Sequence, residues 1–202
     1  LACQRDKTTN SEKIIGKVPM LIALKTWLHK VSPSKDPLEA YKQTGEDIYI
    51  EVLINSYSQD LFHYLSGQSD RELAKDICQK TWLTVVEKSH LYRVQQTPKA
   101  WLFSIARNAL LDEFKKQNRL SSLDEQHYEA ASEETGADEK NALYDALLTL
   151  PFLQREALSL QLEGFSLQEI ATITHSEVET IKTRLRYAKQ ALKQRLGDSH
   201  GE

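Results

Sequence analysis

Leu150 to Leu196 reads LPFLQREALSLQLEGFSLQEIATITHSEVETIKTRLRYAKQALKQRL, and this run decides the fold. It divides into three short helices. Gly164 follows the first apolar-periodic run and can take the left-handed backbone that closes a helix. Ser166 then caps the next helix, with Glu169 three residues on completing a capping box. The same signature recurs at Ser176 and Glu179. Two capped starts so close together leave room for a two-turn helix, a tight turn and a longer helix. That is the helix-turn-helix arrangement, whose second helix enters the major groove of DNA.

The third helix carries most of the local positive charge. Val178, Ile181, Leu185, Ala188 and Leu192 recur at three- and four-residue steps and form one stripe for burial. Between them stand Glu179, Thr180, Lys182, Thr183, Arg184, Arg186, Lys189, Lys193 and Arg195, with one acid among them. An ordinary amphipathic helix with a solvated basic face would show the same charges. The short capped helix directly upstream is what such a helix would not need.

The 202-residue chain is long enough for one or two domains with a packed core. Its net charge of -3 excludes a uniformly basic coat but not a local basic face. Cys3 and Cys78 lie far apart without metal-ligand spacing, and the six histidines are scattered. Neither a disulfide framework nor a metal site is implied, and a reducing cytoplasm fits. The apolar run at Met20 is interrupted at Lys25, so it is neither a membrane span nor a signal peptide. No triad order, glycine-rich phosphate loop or catalytic carboxylate pair is present, which argues against an enzyme and implies no cofactor.

Residues 1–45 read as a weakly structured N-terminal extension. Val18 to Val31 could form a short helix, which Pro33 and Pro37 break, and the helical pattern resumes only after Gly45. From Glu46 to Ser66 the residues Ile50, Leu53, Ile54, Tyr57, Leu61, Tyr64 and Leu65 recur at helix spacing. Ser69, with Glu72, caps a second helix running to about Ser89, with Leu73, Ile77, Thr81 and Val85 inward and Asp76, Gln79, Lys80 and Leu83 on its other flank. Ser89 to Gln96 has no clear period. Thr97 and Pro98 start a third helix reaching about Asn118. Trp101, Leu102, Ile105, Ala106, Ala109, Leu110 and Phe114 give it a broad apolar face, and Trp101 reads as core rather than as a stacking platform. Its opposite side shows Lys99, Arg107, Asn108, Lys115 and Lys116, with Arg119 at the end. Ser121 to Glu139 is acidic and poor in apolar residues, so it reads as a linker. Asp138 to Leu148 is the next helix.

The expected architecture is therefore all-α. Two small helical domains, 46–119 and 138–197, are joined by a flexible acidic linker over 120–137, with a tail at 198–202. The second domain is the helix-turn-helix.

From about Ile48 to Leu196 the chain resembles a bacterial sigma factor of the extracytoplasmic-function (ECF) class, within the sigma-70 family. Four stretches carry the likeness. Ala74-Lys75-Asp76-Ile77-Cys78-Gln79-Lys80-Thr81-Trp82 resembles the family's core-binding helix. Ala100-Trp101-Leu102-Phe103-Ser104-Ile105-Ala106-Arg107-Asn108, then Asp112, resembles the helix that engages the -10 promoter element. Leu150-Pro151 with Arg155 and Leu158 matches the start of the second conserved domain. Phe165-Ser166 through Ile170-Ala171, then Thr180-Ile181-Lys182 with Arg184-Leu185 and Ala188, resembles the -35 reading motif.

The resemblance implies a non-enzymatic, cytoplasmic protein that binds core RNA polymerase, at a coiled coil of the largest subunit and at the flap, and promoter DNA. An anti-sigma factor is a further implied partner, and membrane insertion is not implied. Asp76, Gln79, Lys80 and Leu83 would meet the polymerase, although Lys75 and Lys80 stand where the family usually has acids. At the -10 element, Tyr92 and Arg93 would stack on a flipped base and touch phosphate. Arg107 and Asn108 lie at motif positions, and Lys115, Lys116 and Arg119 would contact phosphate. At the -35 element, Glu179, Thr180, Lys182, Thr183 and Arg186 would reach the major groove. His175 occupies a turn position where glycine is common, and Ser176 one where an apolar residue is usual. The competing reading is a stand-alone helix-turn-helix regulator of duplex operators. The Asp76/Gln79 helix and the Trp101-to-Asp112 helix discriminate against it, since a repressor has no reason to combine them.

Overall fold

The computed structural model describes residues 36–120 and 145–198, and the expectations for 1–35, for the linker stretch 121–144 and for the tail beyond 198 lie outside them. The described residues are helical, with no strand among them. The elements are α1 (Pro37–Thr44), α2 (Asp47–Ser66), α3 (Arg71–Lys88), a 3-10 turn (Ser89–Leu91), α4 (Pro98–Leu120), α5 (Phe152–Leu162), α6 (Leu167–Thr174) and α7 (Val178–Asp198).

Helix α1 corrects the expectation that order resumes only after Gly45. Asp36 caps it, accepting from the amides of Leu38 and Glu39 at 3.0 and 3.1 Å. Pro37 stands in the first turn, where its missing N–H leaves no bond unmade, so it starts a helix rather than breaking one. Gly45 closes the helix at φ 71. Leu38, only 1% exposed, anchors it in the core.

Helices α2, α3 and α4 form the first lobe. Ile50, Leu53, Leu61, Tyr64 and Leu65 of α2 face Ala74, Ile77 and Val85 of α3 and Ala100, Leu102, Phe103, Ala106 and Leu110 of α4. Thr81 sits in this core because its hydroxyl donates back to the Ile77 carbonyl at 2.6 Å. The expected cap at Ser69 is wrong by one residue. Asp70 accepts from the Leu73 amide at 2.9 Å, while Ser69 is buried and donates to the Leu65 carbonyl, and Glu72 pairs with Lys75 instead. An ionised carboxylate is the stronger acceptor for an amide at a helix start. Thr97 does cap α4, accepting from the Ala100 amide at 3.2 Å.

The second lobe is a helix-turn-helix built on α5. Gly164 adopts φ 88, and the Ser166/Glu169 capping box is complete. His175 is the one non-glycine residue at positive φ among the described residues, at 51°. The second expected box is absent. Glu177 holds the cap position, its carbonyl accepting from the Ile181 amide. The Ser176 hydroxyl is occupied elsewhere, donating to the Thr174 carbonyl and accepting from Arg184. Ile181, Leu185 and Ala188 form the buried stripe of α7.

The two lobes are in direct contact. The Phe103 ring of α4 meets Phe165 edge-on at 4.8 Å, and Phe114 meets Phe152 at 5.9 Å. Around these aromatics the contact is polar. Gln68 donates to the Ser159 hydroxyl at 3.0 Å, Thr97 to Glu169 at 3.0 Å, and Lys99 to the Glu163 carbonyl at 2.7 Å while also pairing with Asp60. No described helix is long and apolar enough to cross a membrane.

Candidate functional site

Three surfaces carry the polar residues that the sequence singles out. The first is the outer face of α3. Asp76, Gln79, Lys80 and Leu83 are all exposed, at one-turn spacing opposite the buried Ala74–Ile77–Thr81–Val85 line. Leu83 is 66% exposed and Val86 43%, so the face presents apolar surface beside a carboxylate and an amide. Such a mixture suits a protein partner better than solvent. Cys78, at the edge of this helix, is half-buried, and burial pushes its thiol up to about 11. That makes it a packing residue rather than a reactive one.

The second surface is α4 with the loop before it. Arg93 and Asn108 are exposed and line an open cleft of about 710 Å³ with Trp101, Ser104, His175 and Ser176. Lys115 and Lys116 are exposed, each paired with an acid three residues upstream, Asp112 at 3.4 Å and Glu113 at 3.2 Å. Arg119 lies in the last turn of α4. Two expected contacts are corrected. Tyr92 is fully buried, its ring against Trp101 at 5.5 Å and its hydroxyl shared between the Asp36 carboxylate and the Gln96 carbonyl. It is therefore a core residue pinning α1 to the loop, with no face left for a base. Trp101, half-buried, packs on it as the helical phase implies.

Arg107 is the second correction. It is 7% exposed and turns into the contact between the lobes, away from solvent. Its Nε donates to Glu156 Oε1 at 2.7 Å and its Nη2 to Oε2 at 3.2 Å. The Tyr64 hydroxyl donates to the same carboxylate at 3.4 Å. Burial, together with the Glu156 charge, holds the Tyr64 hydroxyl proton well above its ordinary range, against the pull of Arg107. Glu156 itself escaped the reading of the sequence. The signal was present: an acid one turn from Phe152 and one from Leu160, inside an apolar run, must find a buried cation.

The third surface is α7. Glu179, Thr180, Lys182, Thr183 and Arg186 are all exposed on its first two to three turns, opposite the buried stripe. Glu179 and Lys182 pair at 2.7 Å, and the Arg186 guanidinium lies 5.1 Å from the Tyr187 ring. At the base of α6, burial would raise the Glu169 carboxyl. Hydrogen bonds from the Ser166 amide and hydroxyl and from Thr97, with the Lys99 charge, outweigh it and hold the group below its usual range.

A helix-turn-helix lobe with an exposed polar row on its second helix, packed on a lobe with a half-apolar outer helix, defines a two-lobed transcription factor. The Sigma-70 region 2 model matches residues 53–120, and the Sigma-70, region 4 model matches 140–192. The chain belongs to the ECF group of the sigma-70 family, and it is an RNA polymerase sigma factor. It is 33% identical over 133 residues to the ECF sigma factor EcfG of Rhodopseudomonas palustris, covering 63% of this chain and 72% of that one. It is 27% identical over 169 residues to the ECF sigma factor SigX of Bacillus subtilis, covering 73% and 87%. Among solved structures it resembles the sigma factor RpoE in complex with the anti-sigma factor NepR from Bartonella quintana. The TM-score is 0.62 at 25% identity, over 73% of this chain and 96% of that one. It shares its fold with CnrH, solved with the cytosolic domain of CnrY, at TM-score 0.61 and 21% identity over 80% and 96%.

Proposed function

We propose that the chain docks on core RNA polymerase through the outer face of α3 and directs it to promoters with a -10 and a -35 element. The observation that supports this most is the exposure of Asp76, Gln79, Lys80 and Leu83 in the region 2 match, alongside that of Glu179, Thr180, Lys182, Thr183 and Arg186 in the region 4 match. In this reading α7 enters the major groove at -35, where Arg186 or Lys182 pairs with guanine and Glu179 accepts from cytosine. Arg93 and Asn108 meet the single-stranded -10 element, and Lys115, Lys116 and Arg119 bind phosphate without reading sequence. Asp76 meets a cation on the polymerase through a charge-assisted bond. By analogy with the NepR and CnrY complexes of its structural neighbours, an anti-sigma factor holds it in reserve in the cytoplasm.

The test is run-off transcription with purified core polymerase and genomic fragments. Discrete transcripts that require both core and this protein are expected. The Asp76→Ala variant should recover less polymerase in a pull-down while keeping its helical content. A protein that shifts duplex fragments unaided and leaves core polymerase unaffected would instead be a stand-alone regulator.

A further inference from the structure

We propose that Lys42 and Asp36, at the two ends of α1, are positioning residues for reading of the -10 element, acting through Tyr92 on the peptide group from which Arg93 departs. This deepens the proposed role of Arg93 and rests on that reading. Helix α1, at residues 37–44, lies outside the Sigma-70 region 2 match, which begins at residue 53.

The loop before α4 hangs on one side chain. Tyr92 is the one buried residue between Val85 and Ala100, and residues 93–97 are all exposed. Its hydroxyl reaches the Gln96 carbonyl at 2.6 Å, and the Gln96 amide donates to the Arg93 carbonyl at 3.1 Å. The loop is thereby tied across its base, with Arg93 and the 62% exposed Val94 outward. A single buried ring fixes a place but not a heading, because the chain can still turn about it.

Helix α1 supplies the second hold. Asp36 uses Oδ1 for the Leu38 and Glu39 amides and Oδ2 for the Tyr92 hydroxyl, so the start of α1 and the tip of the ring share one carboxylate. Lys42 Nζ donates to the Tyr92 carbonyl at 3.0 Å. That carbonyl belongs to the planar peptide group joining Tyr92 to Arg93, so its direction sets the line on which Arg93 leaves. The helix itself is anchored by Leu38 and Ala40, both buried. Lys42 is exposed, and its ion pair with Glu39 spans 3.7 Å, so it adds little to global stability. Its work is local: it holds the loop to within the roughly 0.5 Å that a recognition site demands.

Full-length Lys42→Met keeps the aliphatic stem and removes the donor, whereas Lys42→Arg keeps a donor. Each is combined with core polymerase and assayed by run-off transcription on a -10 substitution series with the -35 sequence fixed, and on the converse series. Lys42→Met should lower discrimination by about fivefold at the -10 positions that Arg93→Ala also relaxes, and leave -35 discrimination unchanged. Lys42→Arg should discriminate as the parent does. Asp36→Asn, which keeps the helix cap, should relax the same positions as Lys42→Met. In an Arg93→Ala background Lys42→Met should have no further effect, as for a residue that acts through another. Unchanged -10 discrimination overturns the proposal, and so does additivity with Arg93→Ala. An equal loss on every promoter overturns it too, since Lys42 would then be a phosphate contact. Hydrogen exchange of the free chain reads the hold without any promoter. In Lys42→Met the Tyr92 and Gln96 amides should exchange about fivefold faster while the urea midpoint stays the same. Unaltered exchange at these two amides also overturns the proposal. If the parent gives no promoter-dependent transcript with core polymerase, the -10 reading fails and takes this role with it, whereas the exchange arm still shows whether α1 holds the loop.

Discussion

The guanidinium of Arg107 and the carboxylate of Glu156 meet at two points, 2.7 and 3.2 Å, with Glu156 entirely excluded from solvent. Removing one partner strands the other. Glu156→Leu is expected to lower stability by about 3–5 kcal/mol if the lobes stay together. If they part instead, the single unfolding transition should split in two. The double variant Arg107→Met/Glu156→Leu should unfold in one transition, within about 1 kcal/mol of the parent or above it, since a well-packed apolar pair avoids desolvating two ions. Urea melts followed by circular dichroism distinguish these outcomes. A double variant as damaged as the single one would show that geometry, not charge, holds the contact.

Tyr64 and Tyr92 should make the fold sensitive to alkali. Burial raises both hydroxyls above the ordinary 10.0, helped by Glu156 for Tyr64 and by Asp36 for Tyr92. Above pH 10 the folded chain thus keeps protons that the unfolded chain releases. Stability is full below that pH and falls as pH rises through the folded values. The urea midpoint should drop beyond about pH 10, and less steeply in Tyr92→Phe. At neutral pH that variant should lose about 1.5–3 kcal/mol, the usual worth of a hydrogen bond to a charged group. A midpoint independent of pH between 9 and 11.5 would contradict this account.

His175 links α6 to α7 at φ 51, ψ 46, a left-handed conformation that a β-carbon disfavours by about 1–2 kcal/mol. Glycine there removes the clash but adds freedom to the unfolded chain. His175→Gly should therefore raise stability by a net of about 0.5–1 kcal/mol without altering DNA contacts. Thermal denaturation checks the sign. A loss of stability would mean that the imidazole makes a contact outweighing its backbone strain.

The helix-turn-helix was legible because its signals are local: Gly164 at a helix end, Ser166 with Glu169, and the Ile181–Leu185–Ala188 period. The exposed face of α3 was legible because Ala74, Ile77, Thr81 and Val85 fix which side is inward, leaving Asp76, Gln79 and Leu83 outward. Where the reading failed, the deciding partner was distant or the signal ambiguous. Tyr92 looked like a loop aromatic open to a base, but its hydroxyl bonds Asp36, 56 residues upstream. Arg107 sat on the polar side of α4 in a helical projection, yet 49 residues on, Glu156 draws it inward. Pro37 can break a helix or begin one, and only the Asp36 side chain on the Leu38 and Glu39 amides decides between the two.

Arg186 and Lys116 should separate base reading from phosphate binding. Both are exposed and basic, but Arg186 lies on the outward face of α7, whereas Lys116 lies near the end of α4 and is already paired with Glu113. A planar two-point donor can discriminate guanine, so Arg186→Ala should weaken holoenzyme binding by about 1–3 kcal/mol at the preferred -35 sequence and far less at substituted ones. Lys116→Ala should weaken binding by a similar factor on every promoter variant and reduce the slope of log K against log salt by about 1. Holoenzyme titrations of a -35 substitution series at several salt concentrations measure both quantities. If Arg186→Ala weakens all variants equally, the guanidinium binds phosphate, and base choice at -35 falls to Glu179, Thr180, Lys182 and Thr183.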